Sequence, residues 1–209
     1  MAAGLLPVVD AFRLEETFER IGPFGIAVRG QARSALLFSR KPIRQLDGST
    51  IAVTEESATT ACLLRLLLEQ RYHLVPAGYS RERTPEAEAL LLIGDEALRF
   101  RQTNRQYPYE VDVAFEWWLW QHLPFVFAVW AVRRDADPRE KQTLERAIAM
   151  TLARNLSELD VMAREAAASV GMSAEEVQRF LAGFTYRLSQ PEEEGIRQFR
   201  RLANAHHLL

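Results

Sequence analysis

The sequence predicts an α/β protein with a sheet of mainly parallel strands. Three observations support this fold class: apolar runs alternate with helical patterns through residue 133, the apolar run at 90–93 stops abruptly at Gly94-Asp95, and a long helical region follows Asp137. An uninterrupted apolar run of this length is typical of a strand buried on both faces. Strands that alternate with helices favour crossover connections between parallel neighbours.

The predicted strands are short runs rich in apolar, β-branched or aromatic residues. The last of them opens with Pro124 and is long enough to pass from one layer of a protein to another without a break. The runs lie at about 4–9, 25–29, 34–39, 50–54, 73–77, 89–93 and 124–133.

Helices are predicted between these strands and after them. Leucines at helical spacing follow a Ser/Thr cluster at 57–60, and Thr84-Pro85-Glu86 predicts a helix with proline at its first position. From Asp137-Pro138 onwards an apolar stripe predicts a long helical region that ends at Gly171. Two capping boxes, Ser173 to Glu176 and Ser189 to Glu192, predict the last helix starts. The stripe consists of Leu144, Ile148, Leu152, Leu156, Leu159 and Met162.

Composition excludes several classes of function. The 209 residues are 48% hydrophobic and carry a formal net charge of −2, so neither nucleic acid nor an anionic membrane is favoured as a partner. The most apolar stretch, 111–132, is interrupted by polar residues and proline, and no membrane span is expected. The single cysteine, Cys62, allows no intramolecular disulfide, and the N-terminus lacks a secretory signal. We therefore expect a cytoplasmic protein with Cys62 buried on a helix.

A helix start rich in hydroxyl groups is the first candidate site. Ser57, Thr59 and Thr60 lie where backbone N–H groups have no partners in the helix and the helix dipole is positive, so hydroxyls and amides together can hold a carboxylate. Ordinary capping of the helix is the alternative. If Thr59 holds a carboxylate, its change to valine is expected to weaken ligand binding with little effect on the fold.

Two turns next to predicted strands supply further candidates. Gly30 allows a close approach of the backbone, Ser34 can donate a hydrogen bond, and Arg33 either pairs with a carboxylate or is solvated. Gly94 and Asp95 end a strand at the edge where α/β proteins bind ligands, although an aspartate there can equally cap the next helix.

The aromatic residues of 115–130 are predicted to be mainly core. We expect only Phe125 or Phe127, at the start of the last predicted strand, to contact a ligand. The sequence shows no metal-ligand spacing, phosphate loop, dinucleotide fingerprint or Ser-His-Asp order. No metal and no cofactor are therefore predicted.

Taken together, these strings resemble the chorismate dehydratases that open the futalosine route to menaquinone. The resemblance extends through nearly the whole chain and includes a C-terminal pair that we interpret as helical, 184–188 and 193–199. Departures are Ala58, where arginine is frequent, and Gln121-His122, where Thr-Gly is common; we interpret His122 as a polar residue near a hinge, with a catalytic base as the alternative. The other matching strings are 30–39, 51–60, 90–98 and 123–133.

The resemblance implies the two-lobed fold of type II periplasmic binding proteins with a helical C-terminal region. Strands near 34–39 and 124–133 would be the crossings between lobes. The first lobe would comprise 1–41 and 123–209, and the second 42–122. The family's N-terminal β-α-β-α segment has no counterpart here, which implies either that the start codon lies further upstream or that the chain is a real truncation. The first lobe of the chain as given is expected to be incomplete and to self-associate through the surface that this exposes.

The implied reaction is a carbon–oxygen lyase step, in which chorismate loses water to give 3-[(1-carboxyvinyl)oxy]benzoate. The resemblance implies that the enolpyruvyl carboxylate of the substrate serves as the base, which agrees with a sequence that shows no obvious acid/base pair. Two alternatives stay open: a carboxylate-binding protein of the same fold without catalysis, and an enzyme similar to 1,4-dihydroxy-6-naphthoate synthase. The partner is in each case a small molecule.

Overall fold

The computed structural model describes residues 2–53, 58–84 and 87–209 and contains two sheets. The first has the strand order β1-β8-β2-β9 and the second β5-β4-β6-β3-β7. The strands of the described residues are β1 (Ala3–Pro7), β2 (Phe18–Val28), β3 (Ala35–Ser39), β4 (Thr50–Val53), β5 (Gly78–Ser80), β6 (Ala89–Ile93), β7 (Tyr109–Asp112), β8 (Phe125–Arg133) and β9 (Phe184–Arg187).

Helices cover the sheets and form the C-terminal region, as the sequence predicts. A π-helical turn, Leu67–Arg71, directly follows the helix Ala58–Leu66. The α-helices of the described residues are α1 (Val8–Arg13), α2 (Ala58–Leu66), α3 (Gly94–Thr103), α4 (Val113–Gln121), α5 (Pro138–Ser157), α6 (Leu159–Val170), α7 (Ala174–Ala182) and α8 (Gln190–Ala205). None of them combines the length and the apolar character needed to cross a lipid bilayer.

The buried strands are where the apolar runs predict them. All of β3 is buried, and it pairs along its full length with β6, from Ala35 opposite Ile93 to Ser39 opposite Ala89. Helices on both faces of this sheet explain why neither strand alternates apolar with polar residues.

The expectation of mainly parallel strands is wrong. β4 runs parallel to β5 and β6, but β3 runs antiparallel to β6 and β7, and the described pairings of the first sheet are antiparallel. The reason is that β3 and β8 each enter their sheet from a segment that comes from the other sheet. Alternation of strands and helices along the chain does not determine the direction of strands that arrive this way.

Several predicted elements differ from the structure. Residues 73–77, predicted as a strand, are irregular: His73 has φ 56°, and strand β5 begins only at Gly78. The apolar residue Leu74 in this segment is buried in the core. The strand predicted at 4–9 ends at Pro7, where α1 follows, and 184–187 forms β9 rather than a helix. The helix start predicted at Thr84 falls on Pro85 and Glu86, which lie outside the described residues.

The chain passes between the sheets at two places, 29–34 and 122–124. Because β3 pairs with β6 and β7, sheet membership changes before residue 35, earlier than the predicted lobe boundary at 41. The division into lobes, the incompleteness of the first lobe and its self-association stay predictions.

One core joins the two sheets. Trp117 of α4 packs edge to face against Phe125 of β8 at 5.6 Å and Phe199 of α8 at 5.9 Å between ring centroids. These three side chains are almost fully buried. Gly195 of α8 permits the close packing, since a Cβ there would lie 2.3 Å from the carbonyl oxygen of Pro124.

The C-terminal helices also join the sheets. Ile148 of α5 packs against Phe24 and Val132 of the first sheet, while Val170 and Val177 of α6 and α7 pack on α3. Only the first part of the apolar stripe, Leu144, Ile148 and Leu152, packs on the first sheet, and the cluster on α3 is formed by residues outside the stripe. Glu158 separates α5 from α6, and Leu156 and Met162 are exposed beside this break, contrary to a single buried stripe.

An ion pair holds α8 on the first sheet. Both guanidinium ends of Arg20 on β2 donate to the carboxylate of Glu193, at 2.7 and 2.6 Å, and this contact lowers the pKa of Glu193. A carboxyl group with a lowered pKa stabilises the fold above its unfolded-state pKa of about 4.3, and this stabilisation is lost as the pH falls through the folded-state pKa.

We expect Glu193→Gln to lower the free energy of unfolding at pH 7 by about 0.5–1 kcal/mol, because the pair is partly solvated. The difference between the variant and the parent should shrink below about pH 4. Urea unfolding at pH 7 and at pH 3.5 measures both values. Glu194→Gln, on the same turn of α8, serves as the control, and an equal effect of both changes at every pH would contradict the role of the ion pair.

Candidate functional site

A cavity of about 460 Å³ lies between the two sheets. Its walls are mainly apolar and come from β1, β2 and β8 of the first sheet, the strand β3, and the segment around α7 and β9. The polar side chains among the described lining residues are Ser34, Thr59, Thr60 and Tyr186. A pocket with apolar walls and a few hydroxyl groups suits a small, largely apolar ligand that carries a few polar groups.

The first turn of α2 supplies two of these hydroxyl groups. Thr59 and Thr60 are each 3% exposed, and the Thr59 hydroxyl accepts a hydrogen bond from the Val9 N–H at 3.2 Å. A hydroxyl that accepts one N–H still carries a proton that it can donate. Thr59 therefore connects the cavity wall to the start of α1. Ser57, the third predicted member of this group, lies outside the described residues.

The start of α3 forms a second part of the wall. Gly94 donates its N–H to the Ser34 carbonyl oxygen at 2.8 Å, so the two predicted turns are joined directly. Gly94 has φ +57°, a conformation that favours glycine, although a Cβ there would contact nothing within 4 Å. The helices α2 and α3 thus both begin at the cavity, and their positive dipole ends favour an anion.

A partly buried carboxylate holds the first crossing in place. Asp112 accepts the N–H of Arg33 at 2.6 Å with one oxygen and caps α4 with the other, which accepts from Ala114 and Phe115 at 3.0 Å each. Burial raises the pKa of Asp112, while these N–H groups and that of Ala32 oppose the rise. The contact keeps Arg33 at φ 63°, in the left-handed region that non-glycine residues seldom adopt.

The structure brings five of the predicted site residues together at the cavity: Ser34, Thr59, Thr60, Gly94 and Phe127.

The other predicted site residues that the structure describes lie elsewhere. Phe125 is core, in contact with Trp117, and Asp95 is exposed in the first turn of α3, 4.0 Å from Arg99. Gly30, at φ 100°, and Arg33 belong to the crossing loop beside the cavity. Their contact with a ligand stays a prediction.

The positions of His122 and Cys62 give each residue a structural role that requires no part in catalysis. His122 is exposed and ends α4 in the left-handed conformation, with its N–H on the Trp118 carbonyl oxygen at 2.9 Å. Cys62 is buried as predicted, and burial raises the pKa of its thiol to about 11. A thiol in this state is a poor nucleophile.

Sequence reasoning missed the residues that α7 and β9 bring to the cavity. Phe180, Leu181, Phe184 and Tyr186 line it, and the Tyr186 hydroxyl donates to the Leu181 carbonyl oxygen at 3.0 Å. Burial raises the pKa of Tyr186. Only the long-range pairing of β9 with β2 places these side chains there, so no local pattern indicates them. Asp112 could have been found, because it directly precedes an apolar helix pattern as an N-cap does.

The cavity offers hydroxyl groups and helix starts but no charged side chain among the lining residues that the structure describes. No group of three or more His, Cys, Asp or Glu side chains in this part of the chain is placed to hold a metal ion. The arrangement can hold a small apolar ligand and offer hydroxyl donors to acceptor groups on it.

Two sheets joined by two crossings, with a cavity between them, define the class of periplasmic-binding-protein-like folds. Protein AF1704 from Archaeoglobus fulgidus has this fold with a TM-score of 0.74 and 21% identity over 100% of this chain and 80% of that one. The aliphatic sulphonate binding protein SsuA from Escherichia coli gives a TM-score of 0.59 and 11% identity over 100% and 72%. The predicted two-lobed fold is confirmed.

The chain belongs to the menaquinone biosynthesis family, which it matches over residues 2–205. The chorismate dehydratase of Thermus thermophilus is 33% identical over 94% of this chain and 78% of that protein. The family resemblance of the sequence is confirmed by these matches.

Proposed function

We propose that this protein is a cytoplasmic chorismate dehydratase, a carbon–oxygen lyase that converts chorismate to 3-[(1-carboxyvinyl)oxy]benzoate and water. The observation that carries the proposal is the cavity between the sheets, where apolar walls meet the hydroxyl groups of Thr59 and Thr60 at the start of α2 and that of Ser34 next to the start of α3. The 33% sequence identity with the chorismate dehydratase of Thermus thermophilus supports chorismate as the substrate.

The chemistry matches the groups that the cavity holds. Loss of the C4 hydroxyl and the C3 proton of chorismate leaves an aromatic ring, so the reaction is strongly favoured once the substrate is oriented. Orientation and electrostatic stabilisation then suffice, with the ring between Phe127 and the other apolar walls and a carboxylate at the helix starts. The proton acceptor in this proposal is the enolpyruvyl carboxylate of the substrate, as the family resemblance implies.

The proposal is tested by incubating the purified chain with chorismate and separating substrate and products by chromatography. We expect equal amounts of chorismate lost and benzoate product formed. Ala128→Leu should reduce turnover roughly tenfold or more, because Ala128 lines the cavity and a larger side chain displaces the ring. Ala168→Leu on the exposed face of α6 should leave turnover unchanged.

Other outcomes would replace the proposal. Tight binding of chorismate without product would favour the carboxylate-binding protein without catalysis. If the chain neither binds nor converts chorismate, both the dehydratase and the carboxylate-binding protein are contradicted. The naphthoate synthase alternative would then be tested with its own substrate.

A further inference from the structure

A second groove, rich in arginine, adjoins the cavity. It has a volume of about 490 Å³ and is lined by Arg29, Arg33 and Arg179 together with Phe180 and Phe184. Phe180 and Phe184 also line the cavity, and their rings meet edge to face at 5.2 Å. The two spaces therefore share an aromatic wall that α7 and the start of β9 provide.

In the described part of the chain none of the three arginines forms a direct ion pair with a carboxylate, although the charge of Arg179 helps to lower the pKa of Glu176. The guanidinium of Arg29 lies over the Trp118 ring at 4.9 Å, and Arg179 donates only through Nε to the backbone oxygen of Glu175 at 3.3 Å. No described residue that lines this groove is acidic. Three cations on the wall of one groove that has no acidic lining residue in the described part of the chain favour an anionic occupant.

Two carboxylates of neighbouring elements, Glu176 and Asp112, accept hydrogen bonds from other donors. Glu176 accepts from both the N–H and the hydroxyl of Ser173, at 2.8 Å each, in the capping box of α7. Asp112 is occupied by backbone N–H groups, including that of Arg33. Neither carboxylate lines the groove, although Arg179 and Glu176 interact electrostatically, so the arginines are the charged side chains of the groove wall among the described residues.

We infer that the groove is a subsite for the second carboxylate of a cyclic dicarboxylate whose ring and first carboxylate occupy the cavity. The shared aromatic wall allows one molecule to extend from one space into the other. Arg29 and Arg33 come from the first crossing and Arg179 from α7, so a bound dianion would connect the crossing to the C-terminal helices. The inference rests on the proposed function only for the identity of the natural ligand.

The test uses two probes, benzoate and benzene-1,3-dicarboxylate, with the full chain and isothermal titration calorimetry. We expect the parent to bind the dicarboxylate roughly tenfold more tightly than benzoate, because hydrogen bonds to charged groups are strong. This preference should largely disappear in Arg29→Gln and Arg179→Gln, with benzoate affinity unchanged. Arg146→Gln, an exposed arginine of α5, is the matched control and should keep the preference.

Each outcome of the titrations supports or contradicts the subsite, and the failure of the subsite can be told apart from the failure of the proposed function. An unchanged preference in both groove variants, equal binding of the two probes by the parent, or binding of neither probe would overturn the inference. If the preference is lost as expected while chorismate is not dehydrated, the subsite stands and the proposed function fails. If chorismate is dehydrated with an unchanged KM in both variants, only the subsite fails.

Discussion

Replacing Thr59 with valine is expected to weaken chorismate binding at least tenfold and to lower the free energy of unfolding by about 1–3 kcal/mol. The two effects have different causes. Binding weakens because the proposed carboxylate anchor loses a hydroxyl donor. The fold is destabilised because the buried Val9 N–H, which donates to the Thr59 hydroxyl at 3.2 Å, is left without its partner.

The loss of stability corrects the expectation from the sequence that valine would leave the fold nearly unchanged. Valine keeps the shape of threonine but cannot accept a hydrogen bond, and the residue that needs this acceptor lies 50 positions away in the sequence. The contact is invisible until α1 and α2 are packed together. A substitution that removes only the methyl group is therefore needed to separate the two roles.

Thr59→Ser is that control, since it retains the hydroxyl and should keep most of the affinity. Thr60→Val removes a second hydroxyl of the cavity wall. Calorimetric titration with chorismate and urea unfolding of the three variants give affinity and stability independently. Parental affinity in Thr59→Val, once the fraction of folded protein is accounted for, would eliminate Thr59 as a ligand contact.

The elements that the sequence predicts well are those determined by local chemistry. Both capping boxes form, with Glu176 and Glu192 each returning to the N–H of its N-cap serine, and Asp137 caps α5 ahead of Pro138. The buried runs of β3 and β6 are strands because apolar residues of that length need cover on both faces. Thr59 and Thr60 of the hydroxyl-rich helix start, together with Ser34 and Gly94 of the two turns, line one cavity.

The predictions from sequence that are wrong or incomplete concern features determined by contacts between residues far apart in the sequence. The directions of β3 and β8 follow from the crossings, and β9 is a strand because it pairs with β2, although 184–187 is too short to show a pattern of its own. The same pairing brings Tyr186 and the α7 side chains to the cavity. Arg179 lies about 150 residues from Arg29, so only the packing of α6 and α7 on α3 reveals the cationic groove.

Replacing one carboxylate oxygen of Asp112, by a change to asparagine, is expected to cause the largest loss of folding stability of any single-atom change. Its two oxygens serve two structures: Oδ2 accepts the N–H of Arg33 in the first crossing, and Oδ1 accepts those of Ala114 and Phe115 at the start of α4. Asparagine has only one acceptor oxygen. Whichever way the amide is turned, its NH₂ group faces backbone N–H donors, and one of the two structures loses its partner.

Asp112→Asn should therefore lower the free energy of unfolding by about 1.5–3 kcal/mol, the range for hydrogen bonds to a charged group. The affinity for chorismate should also fall. Without the carboxylate, Arg33 can leave the left-handed conformation in which it is held, and the crossing loop beside the cavity then loses its arrangement. The expected effect on binding is thus indirect, and Asp112 is a positioning residue.

Asp95→Asn is the matched control, because Asp95 is an exposed carboxylate at the start of a helix with only a distant ion pair to Arg99. Urea unfolding and titration with benzene-1,3-dicarboxylate should show no change for this variant. For Asp112→Asn, the loss of dicarboxylate affinity should exceed the loss of benzoate affinity, since the groove contains Arg33 and the cavity does not. Equal losses for both probes would mean that Asp112 supports the whole fold and has no particular role in placing Arg33.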